Sequence, residues 1–98
     1  MIILSTGVYI MRVSNNKCRE LVVSRRDFTA NNIFAVTNSR GVYAVYSYGY
    51  HFPLFAFIDG QWYENEDRYS VTTSKHRGNT HPHTDTIKVS VNELKAMI

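Results

Sequence analysis

The sequence predicts an α+β domain: a curved antiparallel β-sheet meander of five or six strands with one or two short helices, one of them C-terminal. Three observations carry this. Short runs rich in β-branched and aromatic residues alternate with turn clusters, the pattern of strands rather than of helices. Asn38-Ser39-Arg40-Gly41 and Asp59-Gly60 sit between such runs and supply hairpin chemistry. Ser90-Val91-Asn92-Glu93 has the spacing of a capping box, and Leu94, Met97 and Ile98 follow on one helical face. The chain of 98 residues fits a single domain, residues 1–98. A chain of that length buries roughly two-thirds of its unfolded surface and needs neither metal nor disulfide to hold a core.

In order along the chain, Ile2 to Val13 reads as a first strand that ends at Ser14-Asn15-Asn16. Cys18 to Ser24, with Leu21-Val22-Val23, reads as its hairpin partner. Arg25 to Asn32 is polar around Phe28 and fits a loop or a single helical turn capped by Ser24. Ile33 to Thr37 is a short strand. Val42 to Tyr48 is strand-like, Gly49 to Pro53 breaks it, and Leu54 to Ile58 resumes. Asp59-Gly60 turns the chain back into Gln61 to Asn65. Thr72, Thr73 or Ser74 caps a short helix through Arg77, with Gly78 as its stop. Asn79 to Asp85 is a loop around Pro82, and Ile87 to Val89 is apolar at alternate positions.

Composition excludes several classes. Eleven Lys/Arg against eight Asp/Glu give a net charge of +3, too weak for a histone-like coat, and 44% apolar residues exclude a disordered tail. Cys18 is a lone cysteine, so no intrachain disulfide forms. The apolar N-terminal stretch lacks a basic flank and a cleavage site, and no run is long enough to span a bilayer. The expectation is a cytoplasmic protein with no membrane partner and no cofactor.

Aromatic residues crowd Tyr43 to Tyr69. With an unbroken pleat, Tyr46, Tyr48 and Tyr50 share one face, and Tyr43 and Val45 the other. Such a face serves as a stacking platform, a protein-binding surface or ordinary cross-strand packing. His51, Lys75 and His76 have the residue types of an acid/base set, yet no nucleophile elbow, phosphate-binding loop or paired carboxylates accompany them. His76, His81, His83 and Asp85 have too irregular a spacing for a metal site, and a polar loop accounts for them better. Arg25-Arg26 and Lys75-His76-Arg77 are the basic clusters, and with Arg68 they compose a patch for phosphates or an acidic protein.

Tyr46-Ser47-Tyr48-Gly49-Tyr50-His51-Phe52-Pro53, then Trp62-Tyr63-Glu64-Asn65, then Tyr69-Ser70-Val71-Thr72-Thr73-Ser74-Lys75-His76, resembles a module of small uncharacterised bacteriophage or prophage proteins. The resemblance implies a phage origin, host-cell cytoplasm, and a non-enzymatic protein that binds a host or viral macromolecule, either protein or nucleic acid. The candidate binding residues are Tyr48, Tyr50, His51, Arg68, Thr73, Ser74, Lys75, His76 and Arg77, with no metal ligand and no catalytic residue assigned. Two other readings stand beside this one. The first is a nucleic-acid-binding accessory domain that uses the aromatic strand with Arg25, Arg26, Arg68, Lys75 and Arg77. The second is a small hydrolase or nuclease that uses His51, Lys75 and His76. Topology adds one expectation: an even number of antiparallel passes separates His51 from Thr73–His76, which places both at one end of the sheet.

Overall fold

The computed structural model describes residues 11–68 and 70–98. Most of the predicted first strand, Ile2 to Ile10, lies outside the described residues, as does Tyr69. The described chain forms one sheet in sequential order: β1 (Met11–Arg12), β2 (Phe28–Thr29), β3 (Ile33–Thr37), β4 (Tyr43–Ser47), β5 (Pro53–Ile58), β6 (Gln61–Asn65) and β7 (Ile87–Val89). Three helices accompany it: α1 (Cys18–Val23), α2 (Val71–Thr80) and α3 (Val91–Met97). The α+β class and the C-terminal helix are as predicted, with more strands and one more helix than expected.

β2 to β6 form the antiparallel meander, while β1 pairs parallel with β2 and β6 parallel with β7. Parallel neighbours require crossovers, and α1 and α2 supply them. Both crossovers step the same way across the sheet from strands that run in the same direction. A common handedness therefore puts both helices on one face. That face packs Cys18 and Val22 of α1 on Phe28, Ile33, Ala35, Val45 and Phe55. The alternate residues Ala44, Tyr46 and Ala56 face the other way and pack with Leu94 of α3. The sheet is thus covered by α1 and α2 on one side and in part by α3 on the other.

The Asp59-Gly60 turn has φ of 49° and 79°, the double positive φ of the tight hairpin turn that matches strand twist. It returns Trp62 against Phe57, with ring centroids 5.1 Å apart, and edge-on to Tyr43 at 6.1 Å. One irregularity shapes the end of the sheet where β4 leads into β5. Val45 pairs with Phe55 but Tyr46 pairs with Pro53, so Leu54 is an extra residue in β5. Leu54 and Phe55 both enter the α1–α2 core.

Three predicted elements are corrected. Cys18 to Ser24 is helical, not the second strand of a hairpin. Cys18, Leu21 and Val22 share one helical face, which the core buries fully at Cys18 and Val22. Arg19 fastens the helix to α2, its Nε donating to His81 O at 3.1 Å and its Nη2 to Gly78 O. Arg25 to Asn32 holds the short strand β2 rather than only a loop or helical turn. The cap of α2 is Ser70, whose Oγ accepts from Thr73 N at 3.1 Å, and the helix runs through Gly78 to Thr80. Thr80 donates its hydroxyl to His76 O at 2.8 Å inside that last turn.

Trp62 is 6% exposed. Trp62→Ala should cost about 3–5 kcal/mol and lower the urea midpoint. An unchanged midpoint would contradict its place in the core. At the C-terminus, Ser90 Oγ accepts from Glu93 N at 3.1 Å and Ser90 N donates to Glu93 Oε1 at 2.8 Å, the complete capping box. Ser90→Ala should cost about 1 kcal/mol and speed amide exchange across α3.

Candidate functional site

Strand directions decide where loops gather. β4 and β6 end, and β5 and α2 begin, at the same end of the sheet. There a cleft of about 350 Å³ opens, lined by Ser47, Tyr48, His51, Phe52, Ser70 and Thr73. His51 and the first turn of α2 lie together, as the count of antiparallel passes predicts.

The Tyr48–Phe52 loop is held by its backbone. Ser47 N donates to Phe52 O at 3.1 Å, and Tyr48 N donates to Asn32 O at 2.8 Å in the neighbouring connection. Gly49 N donates to Ser47 O at 2.8 Å and closes a three-residue turn around Tyr48, whose φ is 69°. A tyrosine in that region is strained, by roughly 1–3 kcal/mol. Gly49 leaves room for the His51 ring, since a Cβ there would lie 2.9 Å from His51 Nδ1. Tyr48 is 51% exposed and Tyr50 66%. The positive φ also breaks the alternation expected from the sequence. The Tyr48 ring lies 5.4 Å from the His76 ring on the α2 side, while Tyr46 and Tyr50 pack together at 5.0 Å on the other face.

Beneath the cleft is a buried polar pair. Ser47 Oγ and His76 Nδ1 share a hydrogen bond of 2.7 Å, and both residues are buried. Ser47 ends a strand whose other residues are all apolar or aromatic, so its hydroxyl needs an internal partner. Burial, and then the charge of Lys75, hold the His76 pKa below its ordinary value. Thr73 is buried beside it and takes a hydrogen bond of 3.0 Å from Ser70 Oγ.

The remaining candidates divide. Arg77 is a structural pin: it donates to Asn65 O, to Asp67 O at 2.8 Å, and pairs with Glu64 at 3.5 Å. Ser74 is half-buried, and its backbone N donates to Ser70 O. Arg68 and Lys75 are exposed and are not part of the cleft lining. Arg25 lies 4.5 Å above the Phe57 ring, at the far end of β5 from the cleft, so the basic residues do not gather into one patch. His81 takes a hydrogen bond from His83 N at 3.0 Å and lies 3.5 Å from Glu64. Among the described residues no group of three His, Cys, Asp or Glu side chains is arranged to hold a metal ion. No described helix is long and apolar enough to cross a membrane. The Cys18 thiol is buried, and burial raises its pKa to about 11, which keeps it protonated and unreactive.

Sequence reasoning missed Ser47, Ser70 and Phe52 as cleft residues. The available signal for Ser47 was its parity with Tyr43 and Val45, which turns it to the helix-covered face. Comparison with family models, with curated proteins and with solved structures gives no match to this chain.

The pair sets a pH dependence. Above about pH 6.5 His76 is neutral both folded and unfolded, and the full stability is present. Below it the unfolded chain takes up the proton first, so stability falls as pH drops toward the lowered folded pKa. The melting temperature should fall from pH 7.5 to pH 5, and the fall should be shallower in His76→Gln. An equal slope in both proteins would overturn the assignment.

Proposed function

We propose that this chain is a phage-type, non-enzymatic protein that binds a host or viral macromolecule, with the cleft at the end of β4 as its contact site. The observation that carries the reading is the cleft itself. It draws Tyr48 and His51 from one loop and Ser70 and Thr73 from the cap and first turn of α2, and it leaves the Tyr48 ring half open to solvent. Exposed tyrosine beside hydroxyl donors over a buried floor is the composition of a binding hot spot. The strained turn at Tyr48 adds support, because strain of this kind persists where a ring must be held in one place. The binding reading is favoured over the acid/base one because His76 is buried and neither it nor Lys75 lines the cleft with His51. Only His51 of the two histidines lines the cleft. The bacteriophage resemblance spans this same loop and the start of α2.

Capture from host lysate, with and without nuclease treatment, tests the reading. Tyr48→Ala combined with His51→Ala should reduce capture of the retained partner about tenfold or more, with little change in melting temperature. Gly49→Ala, which displaces the His51 ring, should weaken capture less. Capture that survives the double substitution would remove the cleft from the function.

A further inference from the structure

The opposite face of the same loop carries a second feature. Registered pairing places Arg12, Thr29, Phe34 and Tyr46 side by side across β1 to β4, on the face that α3 covers in part. Phe34 and Tyr46 are stacked, with centroids 5.0 Å apart and an interplanar angle of 17°. Tyr50 stands edge-on to both rings, 5.0 Å from each. Beside this trio lies a groove of about 190 Å³ lined by Tyr46, Tyr50, Pro53, Lys95 and Ile98. It is smaller than the ~300 Å³ at which drug-sized ligand pockets begin, which suits a single planar ring.

We infer that this aromatic platform binds single-stranded nucleic acid, with a base stacked at Tyr50 and the backbone phosphates drawn to Lys95 and Arg12. Charge complementarity selects this occupant over an apolar peptide. Lys95 forms one side of the groove, and exposed Arg12 ends the row about 14 Å away at three strand spacings. No carboxylate side chain lines the groove. The nearest acid on α3, Glu93, is engaged by Ser90 N in the capping box. Ile98 O is taken by Asn38 Nδ2 at 3.0 Å and by the Arg40 guanidinium. The net charge of +3 draws in a polyanion. Base stacking on an exposed ring between cations is the physics of sequence-tolerant single-strand binding. An intact duplex offers no open base faces, so it should bind more weakly. The site differs from the cleft in face and in lining residues.

Fluorescence anisotropy with labelled oligo(dT) and oligo(rU), against a duplex of equal length, tests the inference at several salt concentrations. Single strands should bind more tightly than duplex. Tyr50→Ala should weaken binding roughly 5- to 150-fold, and Tyr50→Phe should retain it. Lys95→Ala should reduce the slope of log affinity against log salt by about 0.7. Tyr48→Ala with His51→Ala should leave oligonucleotide binding unchanged, which separates this site from the cleft. The inference is overturned by no binding at low salt or by equal affinity for duplex. It is equally overturned if Tyr50→Ala and Lys95→Ala both bind as well as the unsubstituted protein, or if binding is lost only in the Tyr48/His51 variant.

Discussion

Strand β4 must be kept dry on both faces, and the rest of the structure answers to that constraint. All five of its residues are buried, Tyr43, Val45 and Ser47 toward one side and Ala44 and Tyr46 toward the other. A half-solvated antiparallel sheet would leave one of these rows wet, and burying a row of that kind supplies much of a small domain's stability. The answer is cover on both sides. α1 and α2 close one face as the crossovers of the two parallel pairs, and α3 closes part of the other. Because the middle of the sheet is consumed in this way, open aromatic surface remains where β4 runs out, at Tyr48 and Tyr50.

Ser47 is where that constraint meets the candidate site. A hydroxyl at the end of a dry strand costs about 1–3 kcal/mol if it is left without a partner. His76 meets it from α2. One hydrogen bond therefore satisfies the core and also sets how far α2 stands from the β4–β5 loop, which is the width of the cleft. Arg77, one residue on, fixes the same helix to the β6 end through carbonyls of Asn65 and Asp67. Asn65 in turn donates to Pro53 O at 2.8 Å, at the start of β5. The polar residues of the Lys75–Arg77 cluster thus divide by depth: His76 and Arg77 hold the frame, and Lys75 faces solvent.

How much of this was legible in the sequence follows from how local each signal is. β3, β5, β6 and α3 lie where their residues predict, because turn chemistry at Asn38–Gly41 and Asp59-Gly60, and the capping box at Ser90, act within a few positions. α1 was not legible in this way. Leu21-Val22-Val23 favours a strand locally, and the helix forms because Cys18 and Val22 reach the core together while Arg19 bonds across to α2. The parallel pairs were hidden too, since a crossover leaves no short-range mark at either strand. In the site, the approach of His51 to α2 was readable from antiparallel direction alone. The split of the tyrosines was not. It depends on the positive φ of Tyr48, which strict period-two counting cannot contain.

That split gives the loop its meaning. A continued pleat would have stacked Tyr46, Tyr48 and Tyr50 on one face and left the cleft without its ring. The turn at Tyr48 sends one tyrosine to the α2 side, and Tyr50 rejoins Tyr46 and Phe34 on the other. Main-chain bonds from Ser47, Tyr48, Gly49 and Phe52 fix the loop before any ligand arrives. Backbone geometry thus positions the rings, which would keep the ordering cost of the proposed binding low. The loop thus works as a partition between two surfaces of different chemistry, hydroxyl and imidazole on one side, stacked rings and cations on the other. Changing a ring on one side leaves the backbone bonds that position the other intact, so the two surfaces can be altered independently.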